Sequence, residues 1–242
     1  MTRWLIELNG EPFDTDEFVY WFPDGEEVFG LSEGKHRYLT GPAFQTCSEA
    51  ECVDEMANQY IDEMLSVIVL LQAGVKRPTI GKIILENSDG SRETFALAQG
   101  HSHGRAKLRA QLIPASQPKL PTEAQQFLQV VRTNRNLQAA LSLLALPNPT
   151  WPNLYRCMEE LELFLKTPVN VASLCSAAER ERFRQTANNA EAAGLNARHG
   201  LGKFSPPTKP MALSEARGFV TGLAQAVIRA TLTRQSLGAG AV

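Results

Sequence analysis

Residues 48–74 read "SEAECVDEMANQYIDEMLSVIVLLQAG". Apolar side chains recur there at three- and four-residue steps, Cys52, Met56, Tyr60, Met64, Ile68 and Leu71, which is the period of one helix face. Gly74 supplies a stop, and Ser48 with Glu51 three residues on has the pattern of a capping box. The stretch predicts one long amphipathic helix whose apolar stripe needs a surface to cover. The segments around it offer that surface. "RWLIEL" (3–8), "EFVYWF" (17–22) and "KHRYLTG" (35–41) are short, rich in aromatic or β-branched residues, and bounded by Asn-Gly, Pro-Asp-Gly and Ser-Glu-Gly turns, so they predict strands. Downstream, "TIGKIILEN" and "RETFALA" flank Ser88-Asp89-Gly90-Ser91 as a hairpin. "RAKLRAQLI" (105–113) alternates Ala106, Leu108, Ala110 and Leu112 with polar residues as a further strand. A small antiparallel sheet with the long helix on its apolar face buries all of these stripes.

The pattern changes at "PASQPKLP" (114–121), where three prolines in eight residues mark a linker. Beyond it the periodicity is helical. Thr122 caps a helix through "EAQQFLQVVRTNRNLQAALSLLAL" (123–146), and "WPNLYRCMEELELFLK" (151–166) follows between Pro152 and Pro168. A third helix spans 171–193, with a break expected near Ala178 and a stop at Gly194. The last, 213–235, carries Ala216, Val220, Leu223, Val227 and Ile228 on one face, and the tail after it is expected to fray. Four helices with short connections imply an antiparallel bundle. The reading is thus α+β: an acidic sheet-and-helix domain over 1–113, a linker over 114–121, and a basic helical bundle over 122–242.

Composition narrows the function classes. With 242 residues and 43% hydrophobic content the chain can build a real core, which excludes disorder of the whole. Cys47, Cys52, Cys157 and Cys175 are too few for a disulfide scaffold and form no C-x-x-C pair, so all four are expected as reduced, buried thiols in a cytoplasmic protein. "MLSVIVLLQA" (64–73) is about half the length of a membrane span, and the N-terminus lacks a signal-peptide pattern. The net charge of −2 divides unevenly: residues 1–115 are net −8 and residues 116–242 net +6. A basic half can hold nucleic acid or dock on an acidic protein surface.

Candidate chemistry concentrates at "ANNAEAAGLNARHGLG" (187–202). Arg180 and Arg184 lie one turn apart on a helix face that continues to Asn188, a row suited to phosphates or to a solvated, acid-interleaved surface. Arg198 and His199 follow the helix stop. A histidine can act as acid or base near neutral pH and an adjacent arginine can stabilise a developing negative charge, with Asn188, Asn189 and Asn196 as hydrogen-bond donors. The same residues serve equally as a helix exit, asparagine and glycine taking the special backbone angles while polar side chains satisfy the last carbonyls. His101 and His103 in "GHSHG" would share one side of a strand and are the candidate for a metal site, which Cys47 and Cys52, flanking a helix start, could join although no spacing requires it. The sequence has no Walker loop, G-x-G-x-x-G, G-x-S-x-G or H-E-x-x-H, and no cofactor is expected.

"LYRCMEELELFL" (154–165), "FRQTANNAEAAGLNARHG" (183–200) and "PPTKPMALSEARGFV" (206–220) resemble a family of uncharacterised bacterial proteins whose tails share TAN, ARH and Pro-Met elements. The bundle with a polar Asn/Arg/His cluster after its third helix is also similar to HEPN domains. That resemblance implies binding or metal-independent cleavage of RNA in a defence or toxin-type setting, with Arg198 and His199 catalytic and Arg180, Arg184, Asn188, Asn189 and Asn196 holding phosphate. HEPN nucleases place an arginine before the histidine with four to six residues between the two; for His199 those positions are 192–194, which hold Ala192, Ala193 and Gly194. The alternative from another class is a protein-interaction or dimerisation module with no nucleic-acid activity.

Overall fold

The computed structural model describes residues 2–25, 27–96, 120–199 and 205–239, and the chain divides into two compact units, Met1–Gln126 and Phe127–Val242. The expected strand over 105–113, most of the proline-rich linker, and both His101 and His103 lie outside the described residues.

The first unit is a five-stranded antiparallel sheet with two helices. Its elements are β1 (Arg3–Asn9), α1 (Pro12–Trp21), β2 (Phe29–Glu33), β3 (His36–Thr40), α2 (Ala50–Leu71), β4 (Thr79–Glu86) and β5 (Arg92–Ala96), with strand order β2-β3-β1-β4-β5. The central β1 pairs Ile6 with Leu39 on one side and with Ile83 on the other, and its Trp4, Leu5 and Ile6 are all buried. α1 packs on β2 and β3, and α2 on β4. Contact at β2 is so close that a Cβ on Gly30 would sit 2.6 Å from the Val19 backbone, leaving glycine as the residue that fits.

Three expectations need correction here. The run "EFVYWF" is instead the second half of helix α1 with Phe22 as its C-cap. Pro12 sits in the first turn with its φ already helical, and the Trp21 indole donates to Glu17, one turn back, at 2.8 Å. Aromatic content suggested a strand, but these local bonds favour the helix. β2, not anticipated, pairs Phe29–Glu33 with β3. Finally, α2 buries Val53, Ala57, Ile61, Met64, Leu65 and Ile68, a stripe shifted from the one read at Cys52, Met56 and Tyr60; Tyr60 instead packs edge-on against Phe44 at 5.9 Å.

The start of α2 differs more. Ser48 and Glu51 form no capping box: the helix begins at Ala50, and Glu49 at its N-cap makes no side-chain hydrogen bond to it. A Cys47–Cys52 disulfide ties the first turn to the preceding 3-10 turn (Pro42–Thr46) instead. These two cysteines are therefore not the free thiols expected from composition. Cys157 and Cys175 are free.

Among its described residues, the regular structure of the second unit is all helical: α3 (Glu123–Arg132, which begins before the division), α4 (Arg135–Leu144), α5 (Trp151–Leu165), α6 (Ala177–Asn188), α7 (Ala190–Ala193) and α8 (Leu213–Ala239). The single helix expected over 123–146 is two. Asn134 is extended, and its side chain accepts from the Asn136 and Leu137 amides at 2.9 and 3.4 Å, starting α4 afresh. The third helix starts at Ala177 rather than 171. Ser176 and Glu179 form a reciprocal capping box there, Glu179 N donating to Ser176 Oγ at 3.1 Å and Ser176 N to Glu179 Oε2 at 2.9 Å. Fully buried Phe183 lies between Trp151, Tyr155 and Phe219, with ring centroids 6.0, 6.2 and 5.6 Å away, and so binds α6 to α5 and α8. Among the described residues, no helix is long and apolar enough to cross a membrane.

Candidate functional site

The candidate residues cluster where α6 ends. Asn189 adopts extended angles and breaks the helix, and its side chain accepts from Ala192 N at 2.8 Å to cap the short α7. Gly194 follows at φ +68°, a conformation side-chain-bearing residues rarely adopt. The chain then turns back onto the helix it left. Arg198 N donates to the Ala187 carbonyl at 2.9 Å, so an end carbonyl of α6 is satisfied by the backbone rather than by a polar side chain.

The Arg198 side chain points elsewhere. Its guanidinium lies 4.2 Å over the Tyr155 ring and its Nη2 is 3.4 Å from Glu159 Oε1. Tyr155 meets a second arginine at its other polar end, the hydroxyl accepting from Arg184 Nε at 3.4 Å, and Arg184 also pairs with Glu181 at 3.2 Å. Tyr155 and Glu159 are one turn apart on α5. Glu162, a turn further, takes Arg180 in a bidentate pair at 2.6 and 3.0 Å and also accepts the Val169 amide at 3.1 Å. The carboxylate holds the Arg180 guanidinium above its ordinary pKa. One edge of α5 thus presents ring, carboxylate, carboxylate to a row of arginines.

Arg182 lies off that row and faces α8. It donates to the Lys209 and Pro210 carbonyls at 2.7 and 3.1 Å and chelates Glu215 at 2.6 and 2.9 Å, which holds the Glu215 carboxyl below its ordinary pKa. Beside it, Thr186 Oγ1 accepts from Met211 N at 3.1 Å and donates to the Arg182 carbonyl at 2.8 Å. The TAN, ARH and Pro-Met elements are therefore joined: Thr186 of TAN to Met211 of Pro-Met, and Ala187 of TAN to Arg198 of ARH.

The remaining candidates divide between inside and outside. Asn188 is buried; its Nδ2 donates to the Arg184 carbonyl at 2.8 Å, and its Oδ1 has no partner among the described residues. Asn189 is buried in its capping role. Asn196 is exposed on the 3-10 turn Gly194–Asn196, and His199 is half-buried next to Arg198. Sequence reasoning missed Tyr155, Glu159, Glu162, Glu215, Thr186 and Met211. Tyr155, Glu159 and Glu162 could have been found from their spacing of four and three, which places them on one side of a helix. Among the described residues, no group of three or more His, Cys, Asp or Glu side chains could hold a metal ion.

No protein family, curated protein or solved structure matches this chain.

Proposed function

We propose that the helical domain is an interaction module of a cytoplasmic bacterial protein, and that Arg198 and the α6 exit build its surface rather than cleave a substrate. The observation that carries this reading is charge pairing. Arg180, Arg182, Arg184 and Arg198 each have a carboxylate partner, in Glu162, Glu215, Glu181 and Glu159. A phosphate would have to displace those partners before it gained a contact. Two leucines close in the chain to Glu159 and Arg198 are exposed. Leu163 is exposed one turn beyond Glu159, and Leu195 is exposed three residues before Arg198. Exposed leucines close in the chain to a charged pair suit a protein partner, and the first partner to try is a second copy of this chain. Sedimentation velocity over a concentration series tests it. Association that Leu195→Asp or Leu163→Asp weakens supports the proposal; a protein that stays monomeric, with no change in the variants, removes the self-association part.

The second reading is an HEPN-like, RNA-binding or RNA-cleaving domain in a defence or toxin-type system. What favours it is that Arg198 and His199 are adjacent, partly exposed, and carried by a net basic half of the chain. Here His199 would take or give the proton at a ribose hydroxyl while Arg198 stabilises the phosphate. Total RNA incubated in EDTA with wild type and His199→Ala separates the readings. Cleavage by wild type alone establishes catalysis, and equal results from both proteins remove it.

A further inference from the structure

We propose that Cys47 and Cys52 form a reversible thiol–disulfide site that fastens and releases the first turn of α2. The pair stands five residues apart in sequence with Cα atoms 5.6 Å apart, within the usual span of a disulfide. Three features make it a site for exchange rather than a bulk staple. A bridge around so short a loop removes little chain entropy, so it adds less stability than a long-range one. It closes over a helix start that has no capping side chain, since Glu49 makes no cap bond, and so holds in place a first turn that no side-chain hydrogen bond fixes. Its two sulfurs also belong to different surroundings: Cys47 is buried and Cys52 is exposed, so an external thiolate has one sulfur to attack.

The chemistry balances with a dithiol as co-reactant. A thiolate of the dithiol attacks Cys52 Sγ, the bond to Cys47 Sγ breaks, and Cys47 leaves as a thiolate that takes up a proton. The second thiolate of the reagent then attacks its own mixed disulfide and releases Cys52, which is protonated in turn. The protein has gained two electrons and two protons, and the dithiol has become a disulfide. Neither remaining cysteine competes, because burial pushes the Cys157 and Cys175 thiols up, away from the reactive thiolate. The change reaches the sheet through Trp4. Its indole donates to the Cys47 carbonyl at 3.3 Å, and its ring lies 5.8 Å from that of Phe95 on β5.

The test uses the folded full-length protein equilibrated in mixtures of reduced and oxidised dithiothreitol, with free thiols trapped by a maleimide and counted by mass spectrometry. Reduction without denaturant should expose Cys47 and Cys52, and amide exchange over 50–54 should speed up by about fivefold to tenfold, as for a lost helix cap. Cys52→Ser should show the faster exchange in every mixture. If that variant does not fold, the wild-type titration alone decides. A bridge that stays closed in excess dithiol until the protein is denatured overturns the proposal, as does a reduced protein whose α2 amides exchange at the oxidised rate.

Discussion

Arg198 rests its guanidinium 4.2 Å above the ring of Tyr155, on a side chain whose hydroxyl is already held by Arg184. One buried tyrosine thereby joins the exit of α6 to α5. A cation over an aromatic face at a partly exposed site contributes about 0.5–1 kcal/mol, and the partly exposed ion pair to Glu159 adds less. Arg198→Ala should therefore destabilise the protein by about 1 kcal/mol in urea unfolding. A double-mutant cycle with Tyr155→Leu should show positive coupling. Additive losses would mean the stacking contributes nothing.

Glu162 carries more than Arg180 does. It accepts both the guanidinium and the Val169 amide, so Glu162→Ala strands two donors where Arg180→Ala strands one acceptor. We expect Glu162→Ala to cost about 2 kcal/mol and Arg180→Ala distinctly less. Equal losses in paired denaturation curves would contradict the assignment of the Val169 bond.

The Arg182–Glu215 pair sets a pH dependence. Folding lowers the Glu215 pKa from its ordinary value near 4.5, so the native state binds fewer protons than the unfolded chain. Its contribution is fully present above that ordinary value and is lost as the pH falls through the lower, folded pKa. Comparison of wild type with Glu215→Gln across pH 3 to 6, a range set around the ordinary value near 4.5, should show the two stability curves converging at the acid end. Parallel curves would show that the pair is not formed in solution.

Legibility from sequence followed how local each signal was. The hairpin of β4 and β5 declared itself through Asp89-Gly90; Gly194 does end a helix, at φ +68°, but only the short α7, because Asn189 breaks the expected helix first. α1 did not. Its aromatic run suggested a strand, while the deciding features, Pro12 in the first turn and Glu17 one turn from Trp21, are helical spacings easily passed over. At the site, spacing alone correctly put Arg180, Arg184 and Asn188 on one helix and Arg198 and His199 after its end. It did not supply the partners, because Glu159, Glu162 and Glu215 lie on other helices and only folding brings them near. Charge counting saw a basic half, whereas pairing across helices leaves those arginines engaged.

Asn134 makes a separate, local prediction. Its side chain holds two amides of α4 after an abrupt chain turn. Asn134→Ala should cost about 1 kcal/mol, lowering the melting temperature by roughly 3 °C in a chain of this size. A rise in melting temperature would instead mean that α3 and α4 gain by fusing into the continuous helix their sequence pattern suggests.

Arg198 is held by Tyr155 and Glu159, and RNA binding and thermal stability measured together for wild type and Arg198→Ala show whether that is its role. Gel shifts over a salt series accompany the melts. The variant should melt at a lower temperature than wild type, and neither protein should form an RNA complex whose affinity falls steeply with salt. An unchanged melting temperature, together with a salt-sensitive RNA complex that the variant loses, would contradict that role and place Arg198 on a phosphate.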